Sequence, residues 1–331
     1  MLKLVILIIY FAVLIGIGLY CRKHATDVNG FVLGGRSVGP WLTAFAYGTS
    51  YFSAVVFVGY AGQFGWKYGI AATWAGIGNA IIGSLLAWVV LGRRTRIMSQ
   101  HLDSATMPQY FGKRFGSNPL KIGASVIIFI FLIPYTASLY NGLSRLFGMA
   151  FNIDYSVCII IMATLTAIYV IAGGYMATAI NDFIQGIIML FGIVAVIAAV
   201  IHSKGGFMSA LQGLANVSDP AVSDTPGIFA SFFGPDPFNL LCVVILTSLG
   251  TWGLPQMVQK FYAIDNEASI QKGTVISTIF ALIVSGGCYF LGGFGRLFSD
   301  QIDVKANGFD SIIPTMLSNL SPALIALVVI L

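Results

Sequence analysis

The sequence predicts an all-α polytopic membrane protein, and three observations predict it. Mean hydropathy is +0.89. Of the 331 residues 57% are hydrophobic and only 9% charged, whereas soluble domains carry roughly a quarter charged residues. The apolar residues come in runs of about twenty, the length a helix needs to cross the hydrocarbon of a bilayer, and the connectors between them hold the turn formers and most of the charge.

The spans follow in order. Met1 to Cys21 is apolar apart from Lys3 and is followed at once by Arg22, Lys23 and His24. The run is long for a signal-peptide core and has no small-residue cleavage site after it, so it reads as a retained helix with its basic end in the cytoplasm and the N-terminus outside. A polar connector, 22–40, leads to an apolar run from Trp41 to Phe64. A second span, about 70–91, ends on Arg93, Arg94 and Arg96, and loop 92–121 adds Lys113, Arg114 and Lys121. Further spans cover about 122–146, 155–172 and 183–202, with Gly173-Gly174 as a tight inner turn between the last two. An outer loop, 203–237, precedes spans at about 238–259 and 274–294. A second outer loop, 300–321, contains a short amphipathic piece from Phe309 to Leu320.

This threading puts eleven of the seventeen basic residues inside, which supports the outside N-terminus. The last apolar run, from Pro322 to Leu331, is half the length of a span, and the expectation is a fragment or a truncated reading frame that ends in mid-membrane.

Composition also excludes. The net charge of +5 is spread between hydrophobic spans and forms no basic stripe, so no nucleic acid is implied. The four cysteines show no C-x-x-C spacing and lie in or beside apolar runs. His24, His101 and His202 make no metal spacing, and no phosphate loop or H-E-x-x-H motif occurs. The chain reads as a non-enzyme with no obligatory protein partner indicated; its surroundings are the lipid bilayer and a small-molecule solute.

Two interrupted spans carry the functional reading. Gly48-Thr49-Ser50-Tyr51-Phe52-Ser53 crowds a glycine and hydroxyl side chains into the middle of a membrane-length segment. If the helix unwinds there, freed carbonyls must be buried in protein or line a polar cavity, and a small hard cation suits oxygen ligands of that kind. A small-residue face for helix packing is the competing reading. The second interruption is Thr247-Ser248-Leu249-Gly250-Thr251-Trp252-Gly253-Leu254-Pro255-Gln256. Its glycines and proline weaken the helix, while Thr251, Trp252 and Gln256 offer a hydroxyl, an aromatic wall and an amide to a solute; a simple kink in a packing helix competes. Broken helices five spans apart point to an inverted-repeat secondary transporter.

Asp182 is the one acidic residue placed at the edge of an apolar span, with Gln185 a turn along. It reads as a cation waypoint on the cytoplasmic side, or as the N-cap of the fifth helix, or both. Asn79, Tyr135, Tyr140 and Asn141 could face a cavity but are read first as bonding across helices.

The order of motifs resembles the sodium:solute symporter family, which includes proline and pantothenate permeases and sodium-coupled sugar and sialic acid transporters. The likeness runs through Leu33-Gly34-Gly35-Arg36-Ser37, then Tyr169-Val170-Ile171-Ala172-Gly173-Gly174-Tyr175-Met176-Ala177 leading to Asp182 and Gln185, then Trp252-Gly253-Leu254-Pro255-Gln256 with Gln259-Lys260-Phe261 beyond. The resemblance implies a leucine-transporter-type inverted-repeat fold with one extra N-terminal helix, 1–21. It places the first five-helix repeat at 41–202, an extracellular loop at 203–237 and the first part of an incomplete second repeat at 238–331.

It further implies sodium-coupled symport by alternating access in a plasma membrane, bacterial inner in kind. The sodium ion would be held by the backbone carbonyls of Thr49 and Phe52, the rest of its ligand set lying beyond Leu331. Solute would meet Ser50, Tyr51 and Ser53 on one broken helix and Ser248, Thr251 and Trp252 on the other. Proline permeases have an aspartate where this chain has Tyr51, which leaves the solute open among amino acids, sugars and carboxylates. A sodium-independent or proton-coupled relative, with Asp182 titrating, and a non-transporting sensor or remnant are the rival expectations.

Overall fold

Helices form where apolar runs coincide with N-terminal caps, and they stop where glycine, proline or tertiary hydrogen bonds take over the backbone. The computed structural model describes residues 2–318 and 320–330. Met1 and Leu331, the outer limits of the expected first and last spans, and Asn319 lie outside the described residues.

Helix α1, Leu2–Cys21, is apolar apart from Lys3 and packs along a later helix, α8, Tyr155–Ser203. The connector after it turns through three left-handed residues in succession, Gly34, Gly35 and Arg36. A non-glycine residue there costs on the order of 1–2 kcal/mol, and four contacts of the Arg36 guanidinium offset that. It donates to Ser99 Oγ at 3.3 Å, Ser99 O at 3.3 Å, Ser104 O at 2.9 Å and Tyr262 O at 3.4 Å.

Helix α2, Pro40–Tyr51, opens with proline in its first turn and stops at Phe52, whose φ of −100° and ψ of 58° leave the helical region. After Ser53 the chain resumes as a π-helical stretch, Val55–Tyr60, that runs into α3, Ala61–Tyr68. The expected break is therefore present, at the C-terminal end of the polar run. Next, α4, Thr73–Gly78, continues through π-helical Asn79–Leu86 and Trp88–Gly92 into α5, Arg93–His101. Two helices, α6, Met107–Phe115, and α7, Asn118–Phe151, start on Thr106 and Ser117, each of which accepts the backbone N–H three residues on.

Sequence periodicity suggests two spans with a ten-residue gap within 155–202, but the gap closes to a single residue. α8 bends at Gly174, with φ 56° and ψ −149°, and is helical on both sides. Only glycine enters that region without strain. Asp182 consequently sits two turns inside the second segment and is not its N-cap. The polar stretch read as a connector is helical because its side chains find tertiary partners: Asp182 pairs with Lys260, and Gln185 hydrogen-bonds Tyr10 of α1.

The outer loop contains a short helix, α9, Phe207–Ala215, and is strapped down by Arg296, which donates to Asp219 Oδ2 at 2.9 Å and to Trp66 O and lies 3.8 Å over the Phe229 ring. Burial pulls the Arg296 guanidinium below its ordinary pKa while Asp219 opposes the shift. Then α10, Pro237–Leu249, breaks over Gly250–Leu254 and resumes as α11, Pro255–Ala263.

The central helix, α12, Glu267–Gly293, is capped by Asn266 and packs against α2, α3, α4 and α8. Its contact with α3 is backbone to backbone: a Cβ on Gly292 would lie 1.9 Å from Ala61 O, and one on Gly65 would lie 2.0 Å from Gly292 O. The last helix, α13, Pro322–Ile330, lies against α1, α7 and α8.

Among the described residues four helical stretches are long and apolar enough to cross a membrane: Val55–His101, Asn118–Gly148, Tyr155–Ser203 and Glu267–Gly293. The aromatic core sits where α2, α4, α11 and α12 meet, with Tyr47, Phe52, Trp88, Phe261 and Phe280 all buried. At its inner edge the backbones of the α2 connector and the end of α11 join directly. Val38 N–H donates to Ala263 O at 3.2 Å and Asp265 N–H to Val38 O at 3.1 Å.

Candidate functional site between the two broken helices

The break after α2 leaves peptide oxygens bare. Phe52 N–H still closes on Gly48 O, and the N–H groups of Val56 and Phe57 both turn to Ser53 O. Among the described residues no backbone N–H closes on the carbonyls of Thr49 and Phe52. The Thr49 hydroxyl donates back to Phe45 O at 3.0 Å, a bond that competes with the helical ladder near its end.

Beside the break lies a cavity of about 400 Å³. Ser50, Tyr51 and Ser53 wall it from the first broken helix and Thr247, Thr251 and Leu254 from the second, while Gln63, Asn79, Tyr135, Ser138 and Tyr289 complete it. That volume falls within the range of small-molecule sites. A roomier groove along α8, about 740 Å³, is walled by Arg22, Ala163, Thr164, Ala167, Ile168 and Ile171 and shares no residue with either break.

Of the residues singled out by sequence, Ser50, Tyr51, Ser53 and Thr251 line the cavity. Ser248, Trp252 and Gln256 lie outside its wall. The Ser248 hydroxyl is buried and donates to Asn79 Oδ1 at 3.1 Å. The Trp252 indole donates to Ile82 O at 3.0 Å, which fixes the second break against α4's continuation. Both polar atoms of the Gln256 amide are buried with no hydrogen-bond partner among the described residues. The Tyr135 hydroxyl of the cavity wall is the neighbour of this amide.

The residue that organises the cavity is Asn79, which sequence reading left as a cross-helix bonder. It is 1% exposed. Its Oδ1 has the hydroxyls of Ser248 and Thr247 at 3.1 Å and of Tyr51 at 3.2 Å, and its Nδ2 donates to Ser285 Oγ at 3.3 Å. A carbonyl oxygen offers two lone pairs. The Tyr51 hydroxyl has a shorter acceptor in Thr247 O at 2.8 Å and the Thr247 hydroxyl one in Val243 O at 2.9 Å, so Ser248 is the donor that Asn79 holds. One side chain thereby links the second broken helix to α12, while Tyr51 ties the first broken helix to the second directly. The only sequence signal was an amide in an otherwise apolar span.

Toward the inner side, Asp182 Oδ2 lies 3.7 Å from Lys260 Nζ on α11. The Lys260 ammonium also stands 5.0 Å over the Tyr175 ring, and the Thr49 hydroxyl is beside the carboxyl. The second broken helix is thus tied by charge to the helix that follows Gly174. Sequence reading placed Lys260 in a polar inner turn; the structure buries it at 6% exposure.

Comparison with known proteins follows the same outline. The profile of the Sodium:solute symporter family matches residues 31–331. The osmoregulated proline transporter OpuE of Bacillus subtilis (strain 168) is 29% identical over 299 residues, which are 89% of this chain and 59% of that protein. A sodium/proline symporter of Staphylococcus aureus (strain JH9) is 29% identical over 315 residues, 91% of this chain and 57% of that protein. The chain therefore spans somewhat under three-fifths of the length of these curated relatives. A solved structure, the substrate-bound outward-open state of a Na+-coupled sialic acid symporter, covers all of this chain and 68% of its own, with a TM-score of 0.76 and 17% identity. That likeness shows the leucine-transporter-type fold.

Proposed function

Because the chain belongs to the sodium:solute symporter family, a family of transporters, we propose that it works in sodium-coupled symport of a small organic solute, alternating the access of one site between the two sides of a plasma membrane, with its N-terminus outside. The observation that carries this reading is the run of carbonyls from Thr49 to Phe52 with no backbone donor among the described residues, beside a cavity between two broken helices.

Sodium is a co-transported substrate in this reading. Two peptide oxygens supply part of its shell without burying a second charge, and Asp182 receives the ion on its way to the cytoplasm. Solute meets Ser50, Tyr51 and Ser53 on one side and Thr251 on the other. Ser248 positions the wall through Asn79, while Trp252 and Gln256 shape the second break.

The cavity wall has hydroxyls, amides and rings but no charged side chain, which favours a neutral or zwitterionic solute. A zwitterion also suits the helix ends. The negative end of α2 attracts an ammonium and the positive end of α11 a carboxylate. An amino acid fits that polarity, in keeping with relatives named for proline.

Downhill sodium drives uptake if the ion binds better to the outward-open state that admits solute. Binding is then reciprocal: sodium should tighten the solute by about 5–150-fold, and the solute should tighten sodium by the same factor. Thermal stability of the purified protein, titrated with amino acids, sugars and carboxylates in sodium and in choline at two pH values, measures both. Equal affinity in choline rejects sodium coupling, and affinity that follows pH in its place favours a proton-coupled transporter.

A further inference from the structure

The buried ion pair under the first break goes further than that reading and rests on it. Lys260 is one of the few basic residues that the fold buries, and Asp182 Oδ2 is its one ion-pair partner among the described residues. At 3.7 Å the two are a charge contact, longer than the 2.7–3.2 Å of a formed N–H to O hydrogen bond. Their side chains are 8% and 19% exposed. An ammonium is a compact point charge on a flexible four-carbon stem. It can neutralise a carboxylate and also withdraw from it.

The surroundings of Asp182 are those of a cation position. The Thr49 hydroxyl stands beside the carboxyl, and the carbonyl of the same residue is one of the bare oxygens at the break. The Tyr175 hydroxyl, on the turn of α8 that Lys260 covers, is buried with no hydrogen-bond partner among the described residues. Oxygens and one carboxylate make a set that a hard monovalent ion accepts, yet the positive charge is already supplied by the protein. Two cations cannot share one buried carboxylate without repulsion.

We propose that Lys260 is a tethered cation that competes with sodium for Asp182. Sodium at Asp182 and the Asp182–Lys260 contact exclude each other. An ion that moves inward from the Thr49 and Phe52 carbonyls must expel the ammonium, which detaches the inner half of the second broken helix, α11, from α8. When the ion leaves, Lys260 returns and closes the contact. Lys260 is a positioning residue in this scheme, since it touches neither solute nor ion.

The test is the sodium concentration that half-saturates thermal stabilisation of the purified protein, with choline keeping ionic strength constant. Lys260→Met removes the competitor and should lower that concentration by roughly ten- to a hundredfold. Lys260→Arg installs a fork that grips a carboxylate more firmly and should raise it several-fold. On an Asp182→Asn background neither substitution should move it. A role in folding alone would lower the melting temperature without shifting the sodium midpoint in opposite directions. If Lys260→Met yields no folded protein, Lys260→Arg decides.

Midpoints equal to that of the unsubstituted protein in both variants overturn the proposal, as do shifts that persist with asparagine at 182. A sodium response in the unsubstituted protein with no shift in either variant leaves the symport reading standing and removes this inference alone. No response to sodium in any of these proteins removes both.

Discussion

Valine at Gly292 should leave no folded protein to purify. The position of a Cβ there, 1.9 Å from Ala61 O and 2.6 Å from Ala61 C, is inside the backbone of α3, and backbone cannot rotate aside as a side chain can. The reciprocal clash at Gly65, 2.0 Å from Gly292 O, means that the two helices touch along glycine on both sides. Small-residue contacts of this kind replace the hydrophobic effect as the source of helix association in lipid. Separating them would also pull α12 from α2 and α4, so the cost should exceed the roughly 4 kcal/mol that marks an exceptional single substitution. The control is Gly123→Ala, where an added Cβ meets nothing within 4 Å and the change should stay within about 1 kcal/mol. Size-exclusion profiles of the detergent extract distinguish them, and a monodisperse Gly292→Val peak at the melting temperature of the parent would refute the argument.

Leucine at Asn79 should cost about 2–6 kcal/mol, the sum for the two buried hydroxyls it leaves unmet at about 1–3 kcal/mol each, and should weaken solute binding at least tenfold. The volume is nearly kept, so the loss is polar. Ser248 has no other acceptor among the described residues and Ser285 loses its donor, whereas Thr247 keeps Val243 O at 2.9 Å and Tyr51 keeps Thr247 O at 2.8 Å. Those surviving bonds cap the stability loss. Binding suffers more, because the second broken helix loses the side chain that ties its wall to α12. Melting temperature and a solute titration on the same preparation separate the two effects. Unchanged affinity in a destabilised variant would reduce Asn79 to a packing residue.

The apolar runs, their lengths and the two interruptions were legible because lipid leaves the backbone few choices: a span must be helix, and a polar or glycine-rich gap must be compensated. The location of the first break was legible to within a few residues, yet the reason differs in part from the one the sequence suggests. Gly48 lies in regular helix, and its missing side chain makes room for Phe280, whose ring carbon would be 2.3 Å from a Cβ. The chain leaves the helix later, at Phe52. The second segment of α8 was misjudged because Asn181, Asp182 and Gln185 look like connector residues until their partners are known. Lys260 and Tyr10 reach them from 78 and 175 residues away, a distance over which local pattern carries no information. Asn79 was read as bonding across helices, as it does, but one amide in an apolar span has no periodic signature to say which helices fold back around it.

The short bridge at Val38 has a mechanical consequence. Two peptide hydrogen bonds join the strand before α2 to the end of α11, and Arg36 adds a third tie through Tyr262 O. Backbone bonds of this sort do not stretch or change rotamer, so the inner stubs of both interrupted helices are yoked. Torque applied to one is delivered to the other, so the two stubs can only turn together, as one piece.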